Sequence, residues 1–332
     1  MRSLALGLHA YWLDSQPYDA KLWDRKTMRH VLLAVDGSPA SDQAVRLLAH
    51  LPHRDRLELT ILTVIEPVYI HGSYAATEMI EQVNSHAREL AEATHANVCE
   101  KFDGANVLIH HEYRQGNIGE TIVQAAKELN VDLVVVGATG RSQLSRVLLG
   151  SVSDHVATHA PCSVLVVRPS GLEDSPRPIR VCLGYEGGEP AKRAIAEIGE
   201  IPWTSGTEFH VVSIVTYLLG VYGELIHDEQ SVKQHDEDLK ESKLQLSDVA
   251  SDIRTHLIES EHRGESLVSF AEKNGIDLMV VGETPRGNLS RFLLGSTSRY
   301  VLRHSPCSVW ISRGINTSRR SEQVSQSEMA SS

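Results

Sequence analysis

Twice along the chain, short unbroken apolar runs alternate with stripes of apolar residues at helical spacing. Val31–Val35 is the first run, and it ends in Asp36-Gly37. A continuous run of this length suits a strand covered on both faces, as in parallel sheets. Ser38-Pro39 is a helix-start signal, and Ala44, Leu47, Leu48 and Leu51 then fall at i, i+3, i+4 and i+7. Leu57–Ile65 reads as a second strand and Glu66 to Thr77 as a long loop. A helix with Val83, Ala87, Leu90, Ala91, Thr94 and Val98 on one face comes next. Val107, Ile109 and His111 alternate as a third strand. Ile118, Ile122, Ala125, Ala126 and Leu129 make a helix, and Val131–Val136 a fourth strand. A helix from about Ser151 to His159 and a strand at Ser163–Val167 close the unit.

The plan then repeats at an offset of about 145 to 150 residues. Ile179–Tyr185 is its first strand, and Ala191, Ala194, Ile195 and Ile198 form its first helical stripe. Glu208–Val215 is its second strand, and Glu224–Val249 a long charged helix. Ile253–Ile258, Leu267–Ala271, Leu278–Val281, Ser296–Arg303 and Ser308–Ser312 complete the order. Strands alternating with helices imply right-handed crossovers and a parallel sheet with helices on both faces. The predicted fold is therefore α/β: two tandem, doubly wound, five-stranded parallel-sheet domains of Rossmann-like type. Residues 28–168 form the first domain, 169–178 a Pro-rich linker and 179–313 the second domain. Residues 1–27 are read as an N-terminal extension preceding Met28. Residues 314–332 are read as a Ser/Gln/Arg/Glu-rich tail, expected to be disordered.

Chemistry concentrates in Val134–Ser153, where Gly137, Gly140 and Gly150-Ser151 follow a buried strand in the spacing Gly-x2-Gly-x9-Gly-Ser. Gly lets a ligand approach the main chain, and a helix opening at Ser151 would turn free N–H groups toward an anion. In parallel sheets ligands bind beyond the carboxyl ends of the strands, where the strand order switches. Asp36 and Gly137 both stand at such ends. With Val31–Pro39 and Ala160–Val167, this motif resembles the nucleotide-binding universal stress proteins, whose fold is adenine nucleotide alpha hydrolase-like. The weaker copy Val280–Thr297 makes the chain resemble two such domains in tandem.

That resemblance implies ATP as the nucleotide, with Mg2+ as an accompanying ion. It implies that Asp36 hydrogen-bonds the nucleoside, with Ala34 near the base and the Val64 main chain at the adenine edge. Val136 and Gly137 would flank the ribose. Gly140, Gly150, Ser151, Val152 and Ser153 would hold the phosphates. In the second copy Asp36 is matched by the longer Glu186, and Gly140 by Pro285, which has no N–H. Gly282, Gly295, Ser296 and Ser298 are retained, with Gly287 near Pro285. The second site is expected to bind nucleotide poorly or not at all.

Composition narrows the functions. The chain has 332 residues, 41% hydrophobic, with 32 basic and 43 acidic residues and a formal charge of −11. That balance argues against broad affinity for nucleic acid or an anionic membrane. No apolar run reaches membrane-spanning length. Cys99, Cys162, Cys182 and Cys307 form no Cys-x-x-Cys pair, and a reducing cytoplasm fits them. His110-His111 sit side by side on a strand and point to opposite faces, so they are read as hydrogen-bonded rather than metal-binding. The glycine loop lacks the lysine of a Walker-type loop; Arg141 and Arg146 are its cations, repeated at Arg286 and Arg291. No catalytic constellation stands out and no metal ligand set is assigned. An ATP-binding stress or signalling module with an unidentified protein partner is therefore favoured. A slow ATPase or other nucleotide-dependent enzyme, and a dimerisation scaffold, are the alternatives.

The apolar last strands, Val164–Val167 and Val309–Ile311, would otherwise lie at exposed sheet edges; the resemblance implies that they pair as an internal pseudo-dimer, with Trp310 helping to cover the joint. Association of two chains into a homodimer is left open.

Overall fold

A computed structural model describes residues 28, 30–67, 74–139, 149–172, 177–219, 225–226, 229–283 and 294–314. The first unit runs β1 (His30–Ala34), α1 (Pro39–His50), β2 (Leu57–Ile65), α2 (Tyr74–Lys101), β3 (Val107–Gln115), α3 (Ile118–Glu128), β4 (Leu133–Gly137), α4 (Ser151–His159) and β5 (Ser163–Val167). The second runs β6 (Arg180–Gly184), α5 (Glu189–Gly199), β7 (Glu208–Thr216), the two-residue strands β8 (Leu218–Leu219) and β9 (Leu225–Ile226), α6 (Glu229–Leu246), β10 (Asp252–Ser260), α7 (Arg263–Asn274), β11 (Leu278–Gly282), α8 (Ser296–His304) and β12 (Ser308–Ser312).

Ten of these strands form one sheet, in the order β10-β7-β6-β11-β12-β5-β4-β1-β2-β3. Within each unit the strands are parallel and the order is that of a doubly wound fold, with the switch point between β1 and β4, and between β6 and β11. The units join where β5 and β12 pair antiparallel, Leu165 opposite Trp310 and Val164 opposite Ile311. The expected internal pseudo-dimer is thus a single continuous sheet. Because consecutive strand residues point to opposite faces, Val31, Leu33 and Val35 join one apolar layer, with Leu32 in the other. Each layer runs across both units. Side chains lock the seam: Asp154 of α4 meets Arg303 of α8 at 3.2 Å. On the second unit's side of the seam, the buried Glu197 of α5 holds β12, accepting from Trp310 Nε1 at 3.1 Å, from the Ser312 hydroxyl and from the Gly314 amide at 3.2 Å. Gly314, grouped by composition with the tail, is therefore bonded to α5 of the second unit.

The structure differs from the sequence pattern around α2. The helix already begins at Tyr74, within the expected loop. Its buried face is Ala91, His95 and Val98, while Val83 and Leu90 are exposed. His95, 1% exposed, is accommodated by an Oγ1 partner, Thr63, at 3.2 Å from its Nε2. The charged helix of the second unit is also shorter than its composition suggests, Glu229–Leu246.

Candidate functional site

At the carboxyl end of the first unit, β1 and β4 run in register to Leu33 opposite Val135. One step further on stand Ala34, half-buried, and Val136, buried. Val64 lies near the end of β2, two residues past Leu62, the register partner of Ala34. Asp36 follows, and its Oδ1 accepts the Ser38 amide at 2.9 Å across Gly37, whose φ of +75° favours glycine. Ser38 in turn caps α1 by accepting from the Ser41 amide at 3.2 Å. The start of α1 is therefore closed.

The start of α4 is not. Gly150 is its N-cap and contributes no side-chain bond, so among the described residues the first-turn amides of Ser151, Val152 and Ser153 have no side-chain cap. The loop is anchored from beneath. Ala138 donates its amide to Val167 at 2.8 Å, and its carbonyl accepts from the Gly150 amide at 2.7 Å. The Ser153 hydroxyl donates to the Gly137 carbonyl at 2.7 Å. Gly137 is required by close approach: a Cβ there would lie 2.6 Å from the Ala40 carbonyl oxygen at the start of α1. The structure thus gathers Ala34, Asp36, Val64, Val136, Gly137, Gly150, Ser151, Val152 and Ser153 at one end of the sheet. Of the serines, Ser151 is exposed and Ser153 buried. Gly140, Arg141 and Arg146 lie outside the described residues, as do Pro285, Arg286, Gly287 and Arg291.

The second unit repeats the frame: Gly295 begins α8 without a side-chain cap, and Ser298 Oγ donates to the Gly282 carbonyl at 3.1 Å. Gly282 packs against Pro190 as Gly137 does against Ala40. Two carboxylates change the local chemistry. Glu186, at the position of Asp36, pairs with Arg263 of α7 at 3.3 Å. Glu283, which replaces Ala138, pairs with Arg313 just beyond β12. Neither Ala138 nor Glu283 stood out in the sequence. Superposing the two glycine motifs is the signal that would have singled them out.

Elsewhere, His110 faces Glu58 at 3.2 Å and His111 faces Cys99 Sγ at 3.4 Å, so the neighbouring imidazoles do point apart. Among the described residues no group of three or more His, Cys, Asp or Glu side chains is arranged to hold a metal ion. Cys162, Cys182 and Cys307 are buried. Burial pushes the Cys162 thiol up to about 12 and that of Cys307 to about 11, so neither is a thiolate nucleophile near neutrality. Among the described residues no helix is long and apolar enough to cross a membrane.

Fold and local geometry together define a tandem, doubly wound α/β protein in which a glycine begins the helix that follows the switch-point strand of each half. The universal stress protein family model matches residues 27–168 and again 179–313. A universal stress protein of Mycolicibacterium smegmatis is 27% identical over 292 residues, covering 85% of this chain and 96% of that protein. The universal stress protein YxiE of Bacillus subtilis is 32% identical over 144 residues, 42% of this chain and 97% of its own length. In fold the chain is similar to a crystal structure of a universal stress protein from Archaeoglobus fulgidus. The TM-score is 0.60 at 20% identity, covering 85% of this chain and 97% of that one. The chain belongs to the universal stress protein family.

Proposed function

We propose that the first unit, residues 28–168, binds ATP at its glycine loop, and that the nucleotide state controls association with a protein partner in the cytoplasm. The observation that carries this reading is the contrast between two helix starts at one switch point. Ser38 closes α1, whereas α4 opens at Gly150 with no side-chain cap, a ready seat for phosphate. Asp36 is the nucleoside partner in this reading, Ala34 lies against the base, and the Val64 main chain meets the adenine edge. Val136 and Gly137 border the ribose. Gly140, Gly150, Ser151, Val152 and Ser153 bind the phosphates. The exposed Ser151 hydroxyl fits a magnesium ion carried in with the triphosphate, since the Ser153 proton is already engaged with Gly137. Magnesium would neutralise phosphate charge; the chain's own residues bind and orient. The choice of ATP itself comes from the family resemblance.

Residues 179–313 form the matching unit with an impaired site. Calorimetry with MgATP is expected to give one site per chain, lost in Gly140→Pro and weakened in Ser151→Ala. Two equal sites, or unchanged affinity in both variants, refute the reading. Phosphate release above background that disappears in Asp36→Ala would move the conclusion to an ATPase.

A further inference from the structure

At the amino ends of the strands, away from the candidate nucleotide site, a crevice of about 50 Å³ opens between the two units. Leu57 and Leu133, the first residues of β2 and β4, mark its position, and Trp310 of β12 lines it from the sheet. One wall is Leu51-Pro52-His53, just past α1, and the other is Ile201-Pro202, just past α5. The space is several times the roughly 10–15 Å³ that admits one water molecule. Close-packed apolar layers rarely leave such room uncovered.

The second unit shows how the matching surface is completed. There Ile201-Pro202-Trp203 repeats Leu51-Pro52-His53. Trp203 is 8% exposed, meets Phe209 edge-to-face with centroids 5.4 Å apart, and donates its indole N–H to the Ile198 carbonyl at 2.9 Å. His53 is half-buried, and its Nδ1 donates to the Asp55 carbonyl at 2.9 Å. An imidazole covers less apolar surface than an indole, so the first unit keeps an opening on its side of the joint.

The chain itself arrives at this opening. Met28, two residues ahead of β1, packs against the apolar layer and lines the crevice. The 27 residues before it hold two of the four tryptophans of the protein, Trp12 and Trp23, with Leu22 beside Trp23. Rings of that size need cover, because they bury large apolar areas when they pack. Trp23 is five residues from Met28, a reach of at most about 17 Å. The second unit also holds its entering chain at this end of the sheet. Arg177, three residues ahead of β6, donates from both Nη atoms to the Asp277 carboxylate at 2.6 Å each.

We propose that residues 22–27 fold back over this crevice and that Trp23 docks in it, between Pro52 and Pro202, so that the N-terminal extension clasps the two units together. Trp23 then gives the first unit the indole that Trp203 gives the second. The docked ring touches both walls and stabilises the seam from the end of the sheet opposite the glycine loop. The proposal does not depend on the nucleotide reading.

The full chain carries the test. Benzoylphenylalanine in place of Trp23 is expected to photo-crosslink within its own chain, to residues 51–55 or 200–202, as mapped by mass spectrometry. Trypsin is expected to cut after Lys21, Arg25 and Lys26 about tenfold faster in Trp23→Ala than in the parent, with Trp23→Phe between them. His53→Trp fills the crevice from its own wall and should release the segment in the same way; the Trp23 series stands without it. Crosslinks between chains would assign the crevice to a second copy and overturn the proposal. So would crosslinks to other parts of the chain, or equal cleavage of parent and Trp23→Ala. Binding of the apolar dye anilinonaphthalene sulfonate to the parent, unchanged in Trp23→Ala, would show a crevice open to small molecules and would overturn it as well.

Discussion

The Ser153 hydroxyl donates a 2.7 Å hydrogen bond to the carbonyl of Gly137, joining the first turn of α4 to the end of β4. The same bond recurs, longer, between Ser298 and Gly282 at 3.1 Å. Removing it in Ser153→Ala leaves a largely shielded carbonyl without that partner. The expected cost is about 1–2 kcal/mol of stability, read as a lower urea midpoint. ATP affinity is expected to fall as well, because the helix start is no longer held against the strand. A variant as stable as the parent would mean that the bond is dispensable.

Gly137→Ala tests the close approach of β4 to α1. Its Cβ would sit 2.6 Å from the Ala40 carbonyl oxygen and 2.7 Å from the carbonyl carbon, both main chain. Backbone must shift, at a cost of about 1–3 kcal/mol. Gly150→Ala meets its nearest atom only at 3.3 Å and should cost less. Denaturant midpoints in the reverse order would contradict this account of the two glycines.

Trp310→Ala probes the seam. The indole is fully buried opposite Leu165, and its Nε1 donates to Glu197. Truncation leaves a large cavity and deprives a buried carboxylate of one donor, for an expected loss of about 3–5 kcal/mol. Because the apolar layers cross the joint, calorimetry should also resolve two unfolding transitions where the parent shows one. A single unshifted transition would show that the halves do not depend on this side chain.

Acid should weaken the fold through its buried histidines. Burial pushes the His95 imidazole down to about 4, with His111 adding to the effect, and lowers His30, His155, His210 and His256. Unfolded histidines protonate near pH 6.5. Between that value and the depressed folded value the unfolded chain binds more protons. Stability from these groups is therefore complete above about pH 7 and declines as pH falls toward about 4. Urea unfolding at pH 7 and pH 5 checks the sign, and His95→Gln should flatten the slope. A chain more stable at pH 5 than at pH 7 would refute it.

Much of the architecture is legible in the residue pattern because strand and helix periods differ and each apolar stripe must be covered. The run Val31–Val35, the stripe Ala44, Leu47, Leu48, Leu51 and the repeat itself all lead to the observed elements. The stripe on α2 misleads in part, because periodicity shows which residues share a face but not which face the tertiary packing covers. Val83 and Leu90 are exposed, and His95 takes a core position that Thr63 makes tolerable. Asp36, Gly137 and Gly150 could be placed at one end of the sheet from local rules, since strand ends and helix starts are local features. The Ser153 bond to Gly137 and the pairing of Glu283 with Arg313 could not, because each depends on which side chains the crossover brings together.

By itself, then, the sequence determined the two α/β repeats and the glycines at the end of β4 and the start of α4, all consequences of short-range sterics and hydrophobic periodicity. Only the tertiary structure decided that β5 and β12 merge the halves into one sheet, and that the strand-end Arg313 meets the carboxylate of Glu283. Those outcomes depend on residues distant in the sequence being packed against each other, and burial sets the electrostatic strength of such contacts.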